Sequence, residues 1–180
     1  LMVFFVLGLA LMGCTSSSDS PAVSVTDDDF KSISESGFTF QWQGDGDNLK
    51  VRLKHATGGW VACGFATGDT GTMSNANIIM GYIDDTTNEA VIEDRNSFGM
   101  TSAQALDTTN NVTINTEESS QDATGTQISF SIPLNSGDDK DLVLVPGTTY
   151  DLLLAAGSDT SDNFSDQHSG SDRVRVSISL

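Results

Sequence analysis

The sequence predicts an all-β domain, an antiparallel β-sandwich of roughly 9–11 strands, on three observations. Short stretches of alternating apolar and polar residues recur from about Phe30 to the end of the chain. Clusters of Gly, Asn, Asp and Thr separate them, and these are the residues that tight turns demand. No stretch of any length carries the apolar period of a helix, and only "TSAQALD" (101–107) has the composition for a helical turn.

The elements follow in order. "GFTFQWQ" (37–43) sets Phe38, Phe40 and Trp42 against polar neighbours, and "NLKVRLKHA" (48–56) sets Leu49, Val51 and Leu53 against Lys50, Arg52 and Lys54. The "GDGDN" between them (44–48) is a hairpin signal, because glycine supplies the positive φ of a two-residue turn. His55 falls on the polar phase at the end of its strand and reads as a surface residue. Seven more candidates follow: "GGWVACGFAT", "NIIMGYIDD", "NEAVIEDR", "NNVTINTEE", "GTQISFSIPL", "TTYDLLLAAG" and "DRVRVSISL". Many short strands at this spacing favour two packed sheets of immunoglobulin-like type.

The N-terminal stretch has a different composition. "LMVFFVLGLALMGC" (1–14) is an apolar run too short to cross a bilayer core of roughly 30 Å, and it fits the apolar region of a secretory signal. Its end, "LMGC", resembles the lipobox of bacterial lipoproteins. That resemblance implies that Cys14 becomes the lipidated first residue of an extracytoplasmic protein anchored to the cell envelope. Thr15 after it favours the outer membrane in a Gram-negative organism. Residues 15–29, rich in Ser, Asp and Thr, read as a flexible tether, and residues 30–180 as one domain.

Charge and motifs narrow the function. The net charge is −17, with eight Lys plus Arg, so the long-range field opposes nucleic acid and anionic lipid surfaces. There is no Cys-x-x-Cys-His for covalent haem, no phosphate loop and no nucleophile elbow, so the chain does not read as an enzyme. The aspartates of "GDGDN" and "NSGDDKD" fall short of an EF-hand and leave only a weak calcium site open. With Cys14 assigned to lipid, Cys63 has no partner for a disulfide and reads as a small buried hydrophobe.

Five phrases in this order resemble the DOMON domain of secreted and membrane-tethered redox proteins. They are "GGWVACGFA" (58–66), "GTMSNANIIMGYID" (71–84), "EDRNSFG" (93–99), "GTQISFSIPLNSGDDKD" (125–141), and "YDLLLAAGS" (150–158) leading to "DQHSG" (166–170). In family members the tryptophan strand is followed by a methionine and then by Ala-Asp; here these positions hold Met73, Ala76 and Asn77, so the acidic residue is replaced. Haem-binding members, such as the cytochrome domain of cellobiose dehydrogenase, carry a histidine near a glycine after the last "LLLAAG"-like strand, and here that is His168.

The resemblance implies a non-covalent haem b with Met73 and His168 as axial ligands of the iron. Thioether and imidazole on opposite faces saturate the iron, which suits electron transfer rather than oxygen activation. A protein redox partner is then expected. Trp60, Phe65, Ile79, Phe98 and Phe164 are candidate pocket walls. Arg173 and Arg175 either face the propionates or are strand-surface charges. Met80, inside "NIIMGYI", is a rival ligand that reads better as core packing, and Met100 is a second rival. Two other readings stay open: a haem-free DOMON module that binds a carbohydrate or other small ligand, and a surface lipoprotein that only displays loops.

Overall fold

The predicted hairpin closes on its turn signal. In the computed structural model, which describes residues 24–25, 29–68, 73–98, 104–168 and 170–180, strands β3 (Phe38–Asp45) and β4 (Asn48–His55) pair with Asp45 opposite Asn48. Gly46 between them has φ +60°, the conformation a two-residue hairpin turn requires. The other strands are β1 (Ser24–Val25), β2 (Lys31–Glu35), β5 (Val61–Ala66), β6 (Asn77–Ile83), β7 (Ala90–Asn96), β8 (Ala105–Leu106), β9 (Thr113–Ile114), β10 (Ser120–Asp122), β11 (Gly125–Pro133), β12 (Thr149–Ala156) and β13 (Arg173–Ser179).

Two antiparallel sheets result. One runs β1-β2-β3-β4-β11-β10 with β9 also on β11, and the other runs β13-β12-β5-β6-β7-β8. Strand alternation fills the space between them: Phe38, Phe40, Trp42, Val51, Leu53, Ile128 and Phe130 from the first sheet meet Val61, Cys63, Phe65, Ile79, Leu152 and Leu154 from the second. The rings of Phe40 and Phe65 meet edge to face across the interface, 6.2 Å apart. Burying each such large side chain contributes about 1.5–3 kcal/mol, which makes this interface the energetic centre of the domain.

Three expectations change. Within "TSAQALD", Ala105–Leu106 is not helical but pairs with Arg95 and Asn96 of β7; residues 101–103 lie outside the described ones. "NNVTINTEE" shortens to the two residues of β9, because Glu118 and Ser119 turn away to bond Arg52 and Ser129. His55 is half-buried rather than a plain surface residue: its ring stacks on Phe38 at 4.3 Å, and its Nδ1 accepts the Thr57 N–H at 3.2 Å. Ser24–Val25 pairs with Ser32 and Lys31 of β2.

The outer faces of the two sheets differ. The first sheet shows Lys50, Arg52 and Lys54 to solvent, with Arg52 gripping Glu118 through Nε at 2.7 Å and Nη2 at 2.8 Å. The second sheet is apolar on its outside too: Trp60, Ala62, Ala66, Ile78 and Met80 form a separate buried cluster there. A sheet with water on one face needs no such carpet.

Candidate functional site

Strand β5 is buried along its whole length, on both faces. Its inner phase, Val61, Cys63 and Phe65, belongs to the core between the sheets, and its outer phase is Ala62, Gly64 and Ala66. Loops from opposite ends of the sheet cover that outer phase. The register pairs Phe65 with Asn77 at one end, and the connection leaving there carries Met73. It pairs Val61 with Ala156 at the other, and the connection leaving there carries His168. Met73 and His168 line one cleft, open to solvent, over Ala62 and Gly64, with Met80 and Leu153 beside them.

Small residues make this arrangement possible. A β-carbon on Gly64 would come within 3.3 Å of Ile78 Cγ1 and 3.5 Å of Leu153 Cβ, so the absent side chain keeps the cleft open between its flanks. A β-carbon on Gly59 would sit 1.9 Å from the carbonyl oxygen of Ser158, and one on Gly157 would run into the Trp60 indole. The segment leading to His168 is thus pressed directly onto "GGW". Asp159 ties it further by accepting from Gly58 N–H and Thr57 Oγ1, both at 3.3 Å.

Electrostatics leave the cleft nearly neutral. Among the described residues that line it there is no Asp, Glu, Lys or Arg. The Cys63 thiol beneath it is buried, and burial pushes its pKa far above the ordinary thiol range, so it stays protonated and inert. Trp60 Nε1 and Gln104 Oε1, a donor and an acceptor in the lining, are buried without hydrogen-bond partners among the described residues. Beside the cleft, Tyr82 and Phe164 meet edge to face at 5.0 Å, and the Arg95 guanidinium, paired with Glu93 at 2.8 Å, lies 5.2 Å from the Phe164 ring. Burial raises the Tyr82 hydroxyl pKa, and Asp84, Asp162 and Glu93 add to it.

Of the residues singled out by sequence, Met73, His168 and Trp60 come together in this cleft. Met80 is buried as expected, yet in the outer cluster and in the lining rather than between the sheets. Phe65 and Ile79 are not walls: both point inward, because their odd-numbered phase faces the sandwich core. Phe98 is half-buried just past β7 and does not reach the lining, whereas Phe164 packs on the outer cluster. Arg173 and Arg175 stand opposite Ala155 and Leu153 at the flank, and Arg175 pairs with Asp151 at 3.3 Å. Cys14 and Met100 lie outside the described residues. Gln104 went unnoticed in the sequence, since nothing local marks a glutamine that folding carries to the cleft.

Comparison with known proteins rests on this geometry. The family model described as DOMON domain matches residues 34–157, more than half of the chain. The chain belongs to the DOMON domain family. A search of curated sequences finds no match for this DOMON domain. Among solved structures it is similar to the cytochrome b domain of pyranose dehydrogenase from Coprinopsis cinerea, with TM-score 0.66, 14% identity, and coverage of 89% of this chain and 88% of that one. It is more distantly similar to a family 9 carbohydrate-binding module from Caldicellulosiruptor kristjanssonii solved with cellotriose, with TM-score 0.41, 11% identity, and coverage of 87% and 78%.

The donor set bears on what the cleft can hold. Among the described residues no group of three or more His, Cys, Asp or Glu side chains is placed to hold a metal ion. The cleft offers instead one thioether and one imidazole, apolar walls, and two unspent polar atoms at Trp60 and Gln104. These residues fit a flat, largely apolar group that carries its own metal.

Proposed function

We propose that this DOMON domain is a b-type cytochrome module. It holds one haem b without covalent attachment, through Met73 and His168, and passes single electrons to or from a partner protein. The observation that carries the reading is the convergence of Met73 and His168, 95 positions apart (168 − 73), on one apolar cleft from opposite ends of a sheet. A bound haem supplies an iron that cycles between ferric and ferrous states. Met73 would offer sulfur, which favours the ferrous state, and His168 a nitrogen donor of greater strength. Ala62, Gly64 and Leu153 give the seat an apolar lining. With Met73 and His168 both committed to the iron, the domain would act as a carrier rather than a catalyst.

The test is spectroscopic. Wild-type protein expressed with ample haem should show, when reduced, the sharp visible bands of a low-spin six-coordinate b haem, and acid acetone should extract the pigment. His168→Ala should lose most of it. A wild-type chain that takes up no haem under any condition would overturn the reading and favour a haem-free module for a carbohydrate or other small ligand.

We infer further that the domain is lipid-anchored at the cell envelope through Cys14, facing away from the cytoplasm; the "LMGC" pattern supports this. Lipoproteins carry several acyl chains, and more than one chain is what stable anchoring needs. Full-length protein should label with palmitate and partition into detergent, and Cys14→Ser should abolish both. Wild-type protein recovered unlabelled from the aqueous phase rejects the anchor.

A further inference from the structure

Each loop that reaches the cleft is tied by a serine with no exposed surface. On the methionine side this is Ser97, just past β7. Its Oγ donates to the Met73 carbonyl and accepts the Ala76 N–H at 2.9 Å. Its own backbone N–H donates to the Ala76 carbonyl at 3.0 Å, and its carbonyl accepts the Asn75 N–H at 3.3 Å. On the histidine side it is Ser161, whose Oγ lies 2.9 Å from Ser158 Oγ and donates to Asp166 at 2.7 Å.

The division of labour at Ser97 is informative. Its backbone bonds dock the loop on β7 whatever side chain is present. Of the Ser97 groups only the hydroxyl reaches the Met73 carbonyl, the backbone group next to the atom that would project the thioether; the Ala76 N–H also donates to that carbonyl, at 3.2 Å. Methionine has three rotatable side-chain bonds and binds iron less firmly than imidazole does. A thioether ligand therefore depends on a backbone held still, as outer contacts hold metal ligands generally. We propose that Ser97 is a positioning residue for Met73: its hydroxyl fixes the 73–76 turn so that the sulfur stays aimed into the cleft. Ser161 serves the His168 segment in the same way, so the two sides of the site are set independently. The proposal rests on the cytochrome reading above.

The experiment compares haem-loaded wild type, Ser97→Ala, Ser97→Thr and Ser161→Ala. Ser97→Ala should keep its haem, since His168 is untouched, but lose the methionine–iron charge-transfer band of the ferric state. Its ferrous form should bind carbon monoxide at least tenfold faster than wild type. Ser97→Thr, which keeps the hydroxyl, should return the band. Ser161→Ala should instead lower haem retention at least tenfold in a competition with apomyoglobin. Far-ultraviolet circular dichroism of each apo-protein should match wild type, which separates mis-aiming from unfolding. A loaded Ser97→Ala with the wild-type band and carbon monoxide rate overturns the positioning role alone. A wild-type chain without haem overturns the cytochrome reading itself.

Discussion

Gly64 and Phe65 are neighbours in sequence with opposite duties. Phe65 is fully buried between the sheets, against Phe40, while Gly64 faces the cleft and has no side chain to fill it. The pair predicts a double dissociation. Phe65→Ala should cost about 3–5 kcal/mol of stability, measured by urea unfolding of the apo-protein, while leaving any haem spectrum of the folded fraction unchanged. Gly64→Val should cost at most about 1–3 kcal/mol, because Ile78 must shift by a few tenths of an ångström, yet it should abolish haem uptake. Equal loss of stability in the two variants, or normal uptake by Gly64→Val, counts against a cleft on this face. Trp60 and Phe65 looked equally suitable as walls, and only the phase of β5 told them apart.

At the scale of elements, legibility tracked how a strand meets water. Strands β3, β4, β11, β12 and β13 have one face in the core and one more open, so their alternation was visible from composition. β5 is buried on both faces and β6 nearly so; their runs are almost continuously apolar, and the phase that decides which face a residue serves was hidden. That is why Ile79 was placed with the walls and Met80 with the core. Strands β8, β9 and β10, two or three residues each, hold no period to read, and register on a neighbour defines them. Met73 and His168 were legible only through a motif resemblance. Ser97 lies in "EDRNSFG" (93–99), but its hold on Met73 spans 24 positions and comes from the fold.

The whole molecule carries a net charge of −17, and at one place that excess is buried. Asp94 of β7 lies in the inward-facing row of Cys63 and Ile79 and is 1% exposed. Its Oδ2 accepts the Asn111 N–H at 3.1 Å, and its Oδ1 has no hydrogen-bond partner among the described residues. Burial above all, and then the charges of Asp141, Asp107 and Asp138, push its pKa up to about 7. A carboxyl raised in the folded state favours folding while protonated, so its contribution is complete below the unfolded value near 3.9 and is lost as pH rises through about 7. The shift corresponds to at most about 4 kcal/mol. Asp94→Asn should therefore match wild type near pH 4, exceed it in stability by about 1–3 kcal/mol at pH 8, and flatten the decline between. Melting curves of the two proteins that run parallel from pH 4 to 8 would place the titration elsewhere.

The second sheet carries two independent texts on alternate residues. One phase of β5, β6 and β12 specifies how the sheets close on each other, and the other specifies what the outside will accept. Inheritance can edit them separately. Replacements at Ala62, Gly64, Met80 or Leu153 rewrite the lining of the cleft while the closure stays as it was, so a lineage built on this scaffold can reshape that face without passing through an unfolded ancestor.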